Sequence, residues 1–96
     1  MTERELQNAV LELAGYLDWI TYHTHDSRRS NPGFPDLCMV RCGRLVFAEL
    51  KSERGKLTND QRSWIVELVR ADVETYLWRP SDWTDGTIEA VLKGEK

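Results

Sequence analysis

The sequence predicts a single α/β domain with the order helix, three strands, helix, strand and short helix. Three patterns carry that expectation. Leu6, Val10, Leu13, Ala14 and Leu17 recur at helical steps. Two strand-like runs, Asp36 to Arg41 and Arg44 to Lys51, meet at Cys42-Gly43, with glycine where a tight hairpin needs positive φ. A second capped helix after Thr58 is followed by another strand-like run, Val73 to Trp78.

The first helix is expected from Glu3 to Leu17. Thr2 can cap it, and Glu5 three residues later completes a T-x-x-E capping box, which gives Glu5 a structural task. Trp19 to Thr24 is rich in aromatic and β-branched residues and reads as a short strand. Asp26 to Pro35 (DSRRSNPGFP) is a loop punctuated by proline and glycine. After the hairpin, Gly55 and Lys56 lead to Thr58, which opens the second helix with Gln61 in its capping-box position. Trp64, Ile65, Leu68 and Val69 form that helix's apolar face. Pro80 stops the last strand, and Ile88, Val91 and Leu92 mark one short terminal helix.

A chain of 96 residues, 41% of them apolar, has room for one core, so residues 1–96 are expected to form one domain. No run approaches the roughly 18 apolar residues of a membrane span, and the start Met1-Thr2-Glu3-Arg4-Glu5 is not the basic start of a signal peptide. The expectation is a soluble, intracellular and cytoplasmic protein with no membrane partner. Cys38 and Cys42 lie in one strand and its turn, too close in sequence for a structural disulfide, and are expected as reduced thiols.

Net charge is −3, which argues against binding nucleic acid through overall positive charge. The distribution says more. Between Arg28 and Arg62 eight basic residues face four acidic ones, so that stretch carries +4 and the flanks −7. Arg28, Arg29, Arg54, Lys56 and Arg62 are the candidates there for contact with DNA phosphates. On charge alone, the same stretch reads as ordinary solvated surface.

The hairpin places the chemistry. With Cys42-Gly43 as a two-residue turn, Arg41 faces Arg44, and the same register sets Asp36 opposite Glu49. Carboxylates facing across a ladder, Cβ atoms roughly 5 Å apart, repel unless something positive lies between them. Magnesium fits, because it takes oxygen ligands at roughly 2.0–2.1 Å and often uses one or two protein carboxylates, leaving room for water and substrate phosphate. Strand alternation puts Lys51 on the face of Glu49, where an ammonium can hold an attacking water and steady charge growing on phosphorus. Leu50 could add its backbone carbonyl as a ligand, while its side chain points to the other face and reads as core. Leu45, Phe47, Glu49 and Lys51 share a face that starts apolar and ends charged. Taken singly, Asp36 is a common strand start and Glu49 with Lys51 a common surface ion pair.

Gly33-Phe34-Pro35-Asp36, Glu49-Leu50-Lys51 and Gln61 together resemble the PD-(D/E)xK nuclease superfamily and specifically its VRR-NUC domain. The resemblance runs from Glu3-x-x-x-Gln7 to Trp78-Arg79-Pro80 and is similar in character to short stand-alone phage members. It implies a restriction-endonuclease-like fold with a central mixed sheet, magnesium or manganese as cofactor, and phosphodiester hydrolysis on branched DNA in a phage or bacterial setting. It also implies a homodimer that resolves Holliday junctions. Carried over by position, Asp36 and Glu49 are metal ligands, Lys51 is the water-positioning base or electrostatic stabiliser, and Gln61 is a helper. The family's first-helix glutamate matches Glu3 better than Glu5, since Glu3 precedes Gln7 by four residues. Asp18 stands where the family leads one to expect glycine.

A dimer also follows from size, because paired cuts across a four-way junction need two sites in a two-fold arrangement. Cleavage of flaps or other branched DNA is a second reading, and a noncatalytic DNA-binding module a third. His23-x-His25 with Cys38 and Cys42 matches no common zinc spacing, so no structural zinc is expected. Trp64, Trp78 and Trp83 could stack on bases but read better as core or interface.

Overall fold

The computed structural model describes residues 1–24 and 31–94. Helix α1 (Glu3–Tyr16) is followed by β1 (Ile20–His23), β2 (Leu37–Arg41), β3 (Arg44–Leu50), α2 (Asn59–Arg70), β4 (Glu74–Trp78), α3 (Pro80–Thr84) and α4 (Thr87–Lys93). The four strands form one sheet in the order β1-β2-β3-β4. The pairs β1–β2 and β2–β3 are antiparallel, whereas β3 and β4 are parallel and joined through α2, as a parallel connection requires. Among the described residues no helix is long and apolar enough to cross a membrane.

Both expected capping boxes are present. Thr2 Oγ1 accepts from the Glu5 amide at 3.1 Å while Glu5 Oε1 accepts from the Thr2 amide at 2.8 Å, and these bonds hold the Glu5 carboxyl below its ordinary value. After α1 the chain turns at Asp18, whose φ of 68° is left-handed. Glycine adopts that conformation without steric cost and aspartate tolerates it, which gives the glycine expectation at this position a backbone reason. The hairpin turn has φ of 48° at Cys42 and 81° at Gly43, the double positive φ of a type I′ turn. Its register is the expected one, with Arg41 opposite Arg44 and Leu37 opposite Ala48.

One face of the sheet makes the core. Leu37 and Met39 of β2, Val46, Ala48 and Leu50 of β3, and Trp78 of β4 are buried there against Leu6, Val10 and Ala14 of α1 and Ile88 and Leu92 of α4. At the hairpin end of this face, two arginines serve the fold. Arg41 and Arg44 donate to the Leu92 and Val91 carbonyls, both at 2.9 Å, at the C-terminal end of α4, where positive charge is favoured. Both guanidinium groups also lie over the Trp19 ring, and Arg44 pairs with Glu74.

Helix α2 lies on the opposite face, where Trp64 meets Phe34, and Phe34 meets Phe47. Part of that face stays exposed beyond it. Ile20, Val40 and Leu45 form one row across three strands, and Tyr22, Cys38 and Phe47 the next. In these rows Ile20 is 75% exposed, Tyr22 61%, Leu45 42% and Val40 41%.

Several boundaries differ from expectation. β2 begins at Leu37 and β3 ends at Leu50, so Asp36 and Lys51 stand just beyond the ladder. The apolar first half expected for the Leu45 face is open at Leu45, and the core takes the other parity of β3. Val69 is exposed on α2, and Trp64, Ile65 and Leu68 are half-buried. In place of one terminal helix there are two, because Pro80 both ends the strand and occupies the first turn of α3, and Gly86 at φ 86° separates α3 from α4. His25 and residues 26–30 of the expected loop lie outside the described residues.

Candidate active site

The segment leading to Asp36 is fixed by close packing. Gly33 has φ of 90°, and a Cβ built there would lie 2.4 Å from the Asp60 carbonyl carbon and 2.7 Å from the Gln61 nitrogen. Only glycine lets the loop rest directly on the first turn of α2. Phe34 then enters edge-on between Phe47, at 5.7 Å between ring centroids, and Trp64, at 4.9 Å. Pro35 is fully buried. Asp36 leaves this anchor at the end of the β2–β3 ladder, where its Oδ2 accepts from the Leu50 amide at 2.8 Å.

Glu49 is the one polar or charged side chain counted in the buried class among the described residues, at 2% exposure. Its Oε1 accepts from Gln61 Nε2 at 3.2 Å, and its Oε2 is buried with no hydrogen-bond partner. Desolvation first, and then the neighbouring Asp36 carboxyl, push the Glu49 carboxyl up to about 9, against a smaller opposing pull from Lys51. Asp36 and Glu49 thus lie within electrostatic reach of each other just past the end of the β2–β3 ladder.

Lys51 follows directly. Its amide donates to the Trp78 carbonyl at 3.0 Å, which orients the Leu50–Lys51 peptide. Because the carbonyl and amide of one peptide point in opposite directions, the Leu50 carbonyl is turned away from β4 and toward the side of Asp36. The Lys51 side chain lies within electrostatic reach of Glu49.

Gln61 reconciles two expectations. Its Oε1 accepts from the Thr58 amide at 2.9 Å, completing the cap of α2, while its Nε2 reaches Glu49. One amide side chain thus binds the helix start and the buried carboxylate together. On α1, Glu5 is engaged by Thr2, whereas Glu3 adds to the repulsion felt by Glu49. Arg54 and Lys56 are exposed in the turn after Lys51, and Arg62 is exposed on the first turn of α2. Arg28 and Arg29 lie outside the described residues.

The donor set suits a hard divalent cation. Asp36, Glu49 and the Leu50 carbonyl would all offer oxygen donors, and Glu49 Oε2 is a buried acceptor without a hydrogen-bond partner. Among the described residues no group of three or more His, Cys, Asp or Glu is gathered as a metal cage. The hairpin instead offers an open site in which water and phosphate would complete the shell. Of the residues in the zinc alternative, the three that are described do not share a face. Cys38 pairs with Tyr22 on the α2 side of the sheet, His23 pairs with Leu37 on the core side, and Cys42 is at the turn.

Sequence reasoning assigned no role to Arg79, whose guanidinium reaches the loop after Lys51, and none to the Phe34–Trp64 contact. A Phe inside the Gly33–Asp36 motif, followed by a Trp on the next helix, is a signal for the second. Bonds from Arg79 to backbone more than twenty residues away leave no trace in local patterning. Trp78 is 1% exposed and stacks on Tyr76 at 5.3 Å, which removes it as a base-stacking residue.

A family model described as the VRR-NUC domain matches residues 2–81. The Fanconi-associated nuclease 1 homolog of Schizosaccharomyces pombe is 34% identical over 53 residues, 53% of this chain and 8% of that protein. The chain therefore spans less than a tenth of that relative's length. Among solved structures, a VRR_NUC domain protein superposes with a TM-score of 0.71 at 18% identity, covering 97% of this chain and 89% of that one. Hjc, a Holliday junction resolvase from Archaeoglobus fulgidus, gives a TM-score of 0.51 at 19% identity over 81% of this chain and 65% of that one. These likenesses establish a restriction-endonuclease-like fold. Since the family match extends from the capping box of α1 through the carboxylate pair to the start of α3, the chain belongs to the VRR-NUC domain family, a family of nucleases.

Proposed function

We propose that this chain is a metal-dependent, structure-specific endodeoxyribonuclease that acts on Holliday junctions as a homodimer. The observation that carries this reading is the meeting of Asp36 with the buried, half-partnered Glu49 beside Lys51. Asp36, Glu49 and the Leu50 carbonyl would hold magnesium or manganese, which when bound supplies Lewis-acid activation of water and neutralises phosphate charge. Lys51 holds the attacking water and stabilises negative charge developing on the phosphoryl oxygens. Gln61 orients Glu49, and Glu3 extends the acidic wall from α1. Arg54 and Lys56, exposed in the turn after Lys51, and Arg62, exposed on the first turn of α2, are candidates for phosphate contact, with Arg28 and Arg29 as further ones.

The similarity to Hjc, which is named as a Holliday junction resolvase, supports the four-way junction as substrate. The uncovered sheet face supports the dimer. Ile20, Tyr22, Val40 and Leu45 form an exposed apolar patch of the kind that marks association surfaces. That patch shares the Glu49 side of the sheet, so a two-fold partner seated on it would bring two active sites into one assembly.

Cleavage of labelled four-way junctions, flaps and linear duplexes with magnesium tests the substrate. The expected result is paired nicking of the junction. Cutting of flaps alone would move the assignment to other branched DNA, and junction binding with no cutting would leave a noncatalytic module. In sedimentation, the parent chain should run as a dimer and Ile20→Glu/Tyr22→Glu as a monomer. An unchanged dimer would place the interface elsewhere.

A further inference from the structure

The turn after Lys51 is built by a residue from a distant part of the chain. Arg79 Nη1 donates to the carbonyls of Ser52 at 2.7 Å, Glu53 at 3.2 Å and Gly55 at 2.7 Å. Those carbonyls therefore converge inward on one guanidinium. In each peptide the amide points opposite to the carbonyl, so the amides of Glu53, Arg54 and Lys56 are turned away from Arg79. None of these three amides donates to an acceptor among the described residues.

Charge follows the same division. The acid within the turn, Glu53, is drawn back by the Ser81 amide, which its Oε2 accepts at 2.9 Å. That bond holds the Glu53 carboxyl below its ordinary value. Arg54 and Lys56 remain exposed on the outer side. The turn also lies against the Lys51 stem, since a Cβ at Gly55 would be 3.5 Å from Lys51 Cδ and 2.8 Å from Ser52 Oγ. Outward-facing amides beside two cations give this turn a positive, donor-rich outer surface suited to an oxyanion.

We infer that the Glu53–Lys56 turn is a binding site for a DNA backbone phosphate beside the scissile one, and that Arg79 is the positioning residue that shapes it. The inference rests on the nuclease reading. Arg79 contacts no substrate itself. It holds three carbonyls inward so that amides and cations face outward, and it keeps the turn pressed against Lys51.

The test is equilibrium binding of a labelled four-way DNA junction in EDTA, measured against salt for the parent, Arg79→Gln, Arg54→Ala/Lys56→Ala and their combination. The paired alanine variant should flatten the logarithmic salt dependence by about 1.8, as expected for two lost phosphate contacts. Arg79→Gln should flatten it by about 1 although it removes no residue that touches DNA. In the Arg79→Gln background, the alanine pair should cost less than half of what it costs in the parent, the non-additivity of one shared unit. Glu53→Ala, which frees the other anchor without touching Arg79, should move the slope the same way by a smaller amount. Full additivity, or an Arg79→Gln slope equal to the parent's, in a parent that binds and cuts DNA would overturn the clamp while leaving the nuclease reading standing. A parent chain that binds no DNA would overturn both.

Discussion

Asp36→Asn should abolish magnesium-dependent cleavage while leaving junction binding largely intact. The substitution keeps the shape of the side chain and its bond from the Leu50 amide, so the loop anchored by Gly33, Phe34 and Pro35 has no reason to move. What disappears is one of two charges facing the metal position. Losing a hard anionic ligand removes several kcal/mol of transition-state charge stabilisation, so the expected loss is on the order of 10³-fold or more in kcat/KM. Single-turnover cleavage of a labelled junction, paired with a binding isotherm in EDTA, separates chemistry from affinity. Equal cutting by the variant would remove Asp36 from the mechanism. Lys51→Ala should fall by about 10²–10³-fold in turnover, the scale of deleting one preorganised electrostatic contact, with magnesium binding retained. If calorimetry instead showed metal uptake abolished, Lys51 would be a structural support of the metal position.

Much of this site was legible because one local feature sets its geometry. A Cys-Gly turn with both φ angles positive allows one register, and that register brings Asp36 to Glu49 before any tertiary contact is considered. Capping boxes at Thr2 and Thr58 likewise depend on residues three apart. The orientation of β3 was legible at Leu50, which reads as core and is buried, but not over the first half of the strand. Its run Arg44–Leu50 has core on one side and, over its second half, Phe34 and α2 on the other, so apolar residues occupy both parities and the pattern does not name the inner face. The end of the chain was opaque for a related reason. Helices α3 and α4 are short, and α4 is held by Arg41 and Arg44 across 51 and 47 residues. Such contacts belong to the fold as a whole.

Stability of the metal-free protein should fall as pH rises between about 6 and 8.5, and Glu49→Gln should remove most of that fall. The sign comes from the direction of the shift. The Glu49 carboxyl ionises near the ordinary value of 4.5 in the unfolded chain, but burial and Asp36 push it up to about 9 in the folded one. Between those values the folded protein binds more protons than the unfolded chain, so raising the pH favours unfolding. This contribution is fully present below 4.5 and is lost as the pH passes 9. At its steepest the slope approaches one proton, about 1.4 kcal/mol per pH unit, which for a chain of this size lowers Tm by several degrees per unit. Glu5, Glu53 and Asp85, all lowered by hydrogen bonds, act in the opposite sense and at lower pH, so the window from 6 to 8.5 is free of them. Glutamine keeps the volume and can still accept from Gln61 Nε2, yet it carries no charge to bury. In EDTA at pH 8.5, Glu49→Gln should therefore melt above the parent, although it would lose cleavage. Saturating magnesium should reverse that order, because a cation that binds only the folded parent adds stability by mass action and displaces the retained proton. Thermal melts of both proteins across this pH range, with EDTA and with magnesium, give all four curves. Parallel pH slopes for parent and variant would mean that Glu49 is not the group at work, and with it the view that this buried carboxylate is held for a cation.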